Sequence, residues 1–185
     1  MPGGFQWSRT QSQGDVTGKQ FLYDVDAAHA TLLAPGDVVR ITGTGSADGT
    51  PQANSATAGQ SVTGILFAVT PTFAGEQLSE TGLPALQAGS IVVNVDPHAL
   101  YEVDVSNGPL TVADIGLNAD ILATAATTTG GLSISNMTLD ASTALDTQTL
   151  QFRIVALLTS DAGVFGDRAL VRINNSTISD GAQGV

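Results

Sequence analysis

The sequence predicts an all-β fold: a single β-sandwich or jelly-roll-like barrel with an extended N-terminal arm and long loops. Three observations predict it. Short apolar runs alternate with period two, as side chains do along an extended strand. Gly, Pro, Asn and Asp clusters separate these runs, and no stretch carries the period of an amphipathic helix. Charged residues make up only 12% of the 185, about half the usual share. Thr, Ser, Ala and Gly take their place and favour strands and turns over helices.

The chain divides into an arm (1–19), a β domain (20–175) and a tail (176–185). The arm is polar and Gly-rich, broken only by Phe5 and Trp7, and has no core of its own. Trp7 can tuck against its own domain or anchor on a neighbouring subunit, since interfaces favour Trp. Strands are expected at Gln20–Asp26, at Val38–Thr42 after the turn Ala34-Pro35-Gly36-Asp37, and at Val62–Val69, with Ile65, Phe67 and Val69 sharing a face. Gly43–Thr57 reads as a long polar loop. Thr70–Ala88 reads as a Pro- and Gly-containing excursion that covers part of a neighbour.

Ser90–Val105 is a second apolar stretch, broken at Pro97, which cannot donate to a ladder. After the turn Ser106-Asn107-Gly108-Pro109 come a short strand at Ile121–Ala123 and a low-complexity run, Thr124–Asp146. The densest apolar segment is Thr149–Asn174. Phe152, Ile154, Ala156 and Leu158 share one face. Gln151 and Arg153 begin the other face as polar, and Val155 and Leu157 continue it as apolar, so this strand is expected to start half exposed and end buried on both sides. With Ala169, Val171 and Ile173 it forms a hairpin around the loop Ser160–Asp167, expected to be the central pair of a sheet.

The totals bound the function. There is no cysteine, so disulfides and thiolate metal sites are excluded. The formal net charge is −11, with Lys19 the only lysine; such a surface repels a phosphate backbone, so no nucleic-acid partner is expected. No apolar run is long enough for a membrane-spanning helix, so no membrane partner is expected. The first residues lack the basic start and apolar core of a signal peptide, which points to synthesis in a cytoplasm.

The chemistry-bearing residues are few. Gly43-Thr44-Gly45 with Gly49 has the spacing GxGxxxG and no following helix to hold a phosphate, so it reads as a turn. Asp96, His98, Glu102 and Asp104 fall within nine residues, and Glu102 and Asp104 share a face. They could approach a calcium ion or work as an acid/base pair; the plainer reading is a solvated strand face. His29, alone among apolar residues, reads as a packed or surface histidine. No nucleophile elbow, zinc-binding helix or CxxC pair is present. Hence no catalytic, cofactor-binding or metal residue is assigned, and the protein is not expected to be an enzyme. The sequons at Asn136 and Asn174-Asn175 are attributed to chance. Arg153 and Arg172, two of the six basic residues, are expected to pair with carboxylates of the same chain.

Three pieces together resemble the tailed-phage capsid cement (decoration, head-stabilising) proteins. They are Leu33-Ala-Pro-Gly-Asp37 running into VVRITGTGSADGTPQANSATAGQSVTGILFAV; Asp96-Pro97, Tyr101-Glu102-Val103 and Asp114–Asp120; and Leu139-Asp140-Ala-Ser142-Thr143, LQFRIVALL and Ala169–Asn174. The similarity covers about residues 32–175. The loop Ser160–Asp167 departs from the Asp-Asn-Glu type usual there.

The resemblance implies a non-catalytic β protein on the outer surface of the virion capsid. It would form dimers or trimers, clamp the major capsid protein, and be made in the host cytoplasm. For contact the arm residues Phe5 and Trp7 are expected first, and Phe73 and Leu78 in the excursion second. The rival reading is a receptor- or glycan-binding β module of a tail fibre or surface adhesin. A further rival is an enzyme using Asp96, Glu102 and Asp104.

Overall fold

The computed structural model describes residues 3–10, 19–70 and 82–178. They form strands β1 (Gln6–Thr10), β2 (Gln20–Val25), β3 (Val38–Gly45), β4 (Pro51–Ser55), β5 (Gly64–Thr70), β6 (Gly89–Asn94) and β7 (Ala99–Ser106). Then follow β8 (Asn118–Ala119), β9 (Ile121–Leu122), β10 (Thr127–Thr129), β11 (Leu132–Ile134), β12 (Thr138–Asp140), β13 (Phe152–Thr159) and β14 (Phe165–Ile173). Two single 3-10 turns, Val112–Asp114 and Ala141–Thr143, are the only helical segments among these residues. The chain is all-β, as expected.

The strands form two bodies rather than one sandwich. β2, β4, β3, β5 and β6 close into a five-strand barrel, with β6 returning to β2 over six residue pairs. The remaining long strands run in the order β8-β13-β14-β7-β12-β9. The two ends of that order, β8 and β9, are separated in the chain by Asp120 alone, so this sheet curls into a nearly closed six-strand barrel. β1 adds to it on β7. β10 and β11 form a separate small hairpin within the Thr-rich run.

Each barrel has its own core. Tyr23, Val25, Leu66, Ile91 and Val93 fill the five-strand barrel. Tyr101, Val103, Leu139, Phe152, Ile154 and Val171 fill the six-strand one. Val38, Ala56, Val62 and Ile65 belong to the first barrel by sequence but pack into the second core, which joins the two bodies. Hydrogen bonds across the same junction run from Val62 N to Asn175 O at 2.8 Å and from Thr177 N to Val62 O at 2.9 Å.

The central hairpin stands as expected, with β13 and β14 paired inside the sheet. Its burial differs. Phe152 and Ile154 are buried, but Val155 to Leu158 are all half-buried. A bulge between Ile154 and Ala156 resets the alternation and leaves the end of the hairpin partly open. The loop is shorter than expected, because β14 begins at Phe165. Gly166 there has φ +87, and a Cβ on it would collide with the Leu110 carbonyl, so no other residue fits.

Gln151, expected at the start of an exposed face, has 0% exposure. Its Nε2 donates to Thr57 O at 2.8 Å and Gln60 O at 2.9 Å, while its Oε1 accepts from Ile121 N at 3.0 Å. Gly43–Thr57 is likewise not one loop: β3 extends to Gly45 and turns back into β4. The polar pattern there reflects a hairpin reaching into solvent.

The arm has no core of its own and uses that of the domain. Phe5 is 2% exposed and its ring stacks on Phe152, with centroids 4.5 Å apart. Phe5 N donates to Gly36 O at 2.9 Å. Gly36 has φ +96, and a Cβ there would sit 3.0 Å from Gly3 O, so the turn Pro35-Gly36 is what lets the arm approach.

Two stability outcomes follow. Phe5→Ala should cost about 3–5 kcal/mol, the usual cost of truncating a buried Phe, and Trp7→Ala less than half as much, both read from chemical denaturation midpoints. Gln151→Leu strands the Ile121 N–H and the Gln60 carbonyl and removes one of the two bonds to Thr57 O, and should cost at least ~2 kcal/mol; a near-neutral result would remove Gln151 from its role at the junction.

Candidate functional site

The strand alternation of β7 puts Glu102 and Asp104 on the exterior of the six-strand barrel, as the sequence suggested. The register of β14 on β7 places Arg168 opposite Asp104. Its guanidinium lies 3.2 Å from Glu102 Oε2, 3.2 Å from Asp104 Oδ1 and 3.8 Å from Asp161 Oδ1. Ser8 Oγ donates to the other Glu102 oxygen at 3.1 Å. Arg168, Glu102, Asp104 and Asp161 line a pocket of about 430 Å³. With a cation already between them, the two carboxylates are poorly placed to share a metal or a proton.

The other two members of that sequence cluster lie elsewhere. Asp96 is buried, and its Oδ1 accepts from His98 N at 2.9 Å, fixing the bend at Pro97. His98 is exposed. Among the described residues, no group of three His, Asp or Glu could hold a metal ion. His29 is packed: it is buried, with Nδ1 2.9 Å from Asp26 O.

The arginine expectation needs correction. The ion pairs among the described residues belong to Arg168, not to Arg153 or Arg172. Those two stand directly opposite one another across β13 and β14. No signal in the sequence separates Arg168 from them, because which arginine meets the acidic strand depends on the register with β7.

Trp7 and Phe67 mark a second surface. Trp7 on β1 pairs in register with Tyr101 and is 37% exposed. Phe67, expected on the same side of the strand as Ile65 and Val69, is 54% exposed where those two are buried. A bulge between Leu66 and Ala68 turns Leu66 inward and Phe67 outward. Trp7 and Phe67 line one largely apolar groove of about 290 Å³, floored by Phe5, Ile65 and Tyr101. Leu22 and Val92 form a cross-strand pair on the five-strand barrel, with Leu22 exposed.

Of the contact residues expected from sequence, the structure therefore places Trp7 on the surface and Phe5 in the core. Phe5 is open to a partner only if β1 leaves the sheet. Phe73 and Leu78 lie outside the described residues. Phe67 was missed, since a bulge leaves no mark in the alternation.

Burial raises the pKa of several groups, Tyr101 and Asp37 most strongly. Tyr101 has a buried hydroxyl without a partner; burial, and then the charge of Asp96, push its phenol well above the usual range. Asp37 is 1% exposed. Its Oδ2 accepts from Ala34 N at 2.8 Å, which closes the Ala34–Asp37 turn, while Oδ1 has no hydrogen-bond partner. Burial pushes the carboxyl up to about 6, against smaller opposing effects of Ser135 and the Ala34 N–H. The bond to its own turn makes Asp37 a structural residue, and its burial is what makes it costly to ionise.

That cost has a sign. The folded carboxyl holds its proton more tightly than the unfolded one, so this group's contribution to stability is full below about pH 4 and is lost as pH rises to about 6. Two pH units correspond to roughly 3 kcal/mol. Asp37→Asn keeps an acceptor for Ala34 N and cannot ionise. Its stability relative to the native chain should therefore improve by up to that amount between pH 4 and pH 7, measured by denaturant unfolding at each pH; a pH-independent difference would refute the assignment.

Compared with protein-family models, curated proteins and solved structures, the chain matches none.

Proposed function

We propose that this chain is a structural cement protein that binds the outer surface of a phage head and holds neighbouring major capsid protein subunits together, without catalysis. The groove carrying Trp7 and Phe67 is the observation that supports the reading most directly. Exposed aromatics beside a well-packed floor are what an interface anchor requires. The paired strands around them, β1 on β7 and β5 on β6, fix the backbone that carries both side chains, which lowers the ordering cost of binding.

Two further features support it. The outward carboxylates are occupied by Arg168, which suits a surface of contacts better than a reaction centre. The three segments that resemble cement proteins include the turn Ala34–Asp37, whose Gly36 bonds both the arm, at Phe5, and the five-strand barrel, at Leu66. In this role the protein stabilises the assembled shell by mass action, by about 4 kcal/mol per site at a thousandfold excess over Kd.

The reading is tested on purified shells. Bound protein should raise the shell melting temperature and be present at hundreds of copies per particle, where a tail-fibre receptor module would number a handful. Trp7→Ala/Phe67→Ala should weaken shell binding by about tenfold or more, the effect of losing an anchor residue. Equal melting with and without the protein, or full binding by the double variant, would count against it.

A further inference from the structure

We propose that Asn107-Gly108 is a self-modification site: Asn107 deamidates without an enzyme, and the carboxylate it becomes opens a contact that holds β12 to β7. The inference goes beyond the shell-binding reading and does not depend on it.

The reaction needs the backbone nitrogen of one residue to reach the side-chain carbon of the asparagine before it. The Gly108 nitrogen attacks Asn107 Cγ, the bond from Cγ to Nδ2 breaks, and ammonia leaves. The cyclic imide then takes up a solvent water and opens, at one carbonyl to aspartate and at the other to isoaspartate. No oxidant or reductant takes part.

The structure leaves both reacting groups free. Asn107 and Gly108 form the turn after β7, and both are exposed. Their φ angles are +63 and +114, a hand of turn that suits Asn-Gly. The Asn107 side chain makes a single hydrogen bond among the described residues, and it is made by Nδ2. The Gly108 N–H donates to no carbonyl among them. Where a Cβ of Gly108 would stand, nothing lies within 4 Å.

The alternatives are closed. Every other described asparagine precedes a residue with a Cβ, which crowds the attacking nitrogen. Asp48-Gly49 has the glycine, but Asp48 Oδ1 accepts from Ser46 Oγ at 2.6 Å and from Thr50 N at 2.9 Å. Those bonds favour the ionised form, and a carboxylate resists attack by a nitrogen.

The consequence follows from the partner of Asn107. Its Nδ2 donates to Asp140 Oδ1 at 2.8 Å. Asp140 ends β12, which meets β7 in only two residue pairs, Leu139 with Val105 and Asp140 with Ser106. The same oxygen accepts from Ser142 N and Ser142 Oγ, so Asp140 cannot turn away without opening the Ala141–Thr143 turn. An oxygen in place of Nδ2 sets two carboxylates, both ionised at neutral pH, where a hydrogen bond stood, and at that separation they repel. Isoaspartate also lengthens the backbone between β7 and Pro109. Either product loosens the larger barrel at one of its shortest strand contacts.

The test has a chemical and a stability arm. The native full chain, aged in mildly alkaline buffer, should gain aspartate and isoaspartate at position 107 severalfold faster than at any other described asparagine, read by peptide mass mapping. Asn107→Asp, which makes one product directly, should lower the denaturant midpoint at neutral pH and low salt. Adding Asp140→Asn should restore most of that loss, because an amide at 140 then donates back to the carboxylate at 107 while its oxygen still serves Ser142. Conversion of another described asparagine before Asn107, an Asn107→Asp variant as stable as the native chain, or a loss that Asp140→Asn leaves unchanged would each overturn the proposal.

Discussion

The closure of the larger barrel depends on one residue pair, Asp120 and Gln151. Asp120 is the single residue between β8 and β9, the two strands at opposite ends of the sheet order. Its Oδ1 accepts from Gln151 N, its carbonyl accepts from Asp140 N at 2.9 Å, and its own N–H donates to Thr143 Oγ1 at 2.9 Å. One residue thus touches β12, β13 and the turn that connects them. Gln151 carries the same constraint outward, into the loop Thr57–Gln60 of the other barrel. Buried polar groups of this kind are costly unless every bond is made, so the seam tolerates little variation in geometry.

From that seam the relation of the two barrels follows. The five-strand barrel is inserted between β1 and β7, which pair with each other, so the chain leaves the larger sheet and must return to it. Val38, Ala56, Val62 and Ile65 then complete a core that the larger barrel does not fill alone. Phe5 enters the same core from the arm, through a turn that only glycine at position 36 permits. The joint is made of packed apolar side chains and backbone hydrogen bonds, which is the construction of a domain interior rather than of a hinge.

The surface shows the complementary logic. With few charges and strong acidity, the chain places its cations in particular spots: Arg168 among three carboxylates, Arg153 beside Arg172. Two of the exposed aromatics, Trp7 and Phe67, line a separate groove against the junction of arm and barrel. A rigid body with one apolar groove and one face of alternating charge suits the proposed structural role, in which binding energy comes from repeated modest contacts.

By itself the sequence determined the all-β class and the central hairpin, because period-two patterning and turn residues act locally; β4 and the short strands of the Thr-rich run carried no such pattern. It also marked Trp7 as exposed anchor or packed residue, and Pro97 as a break. Tertiary structure decided the rest. Bulges at Val155 and Phe67 moved side chains to the opposite face, and a bulge is a property of two paired strands, not of one. Gln151 is polar and begins an alternating run, so locally it reads as exposed; only the approach of the second barrel, whose Thr57 and Gln60 carbonyls accept from its amide, makes its burial favourable. Which arginine finds the acids was likewise set by the register of β14 against β7, a contact between residues more than sixty positions apart.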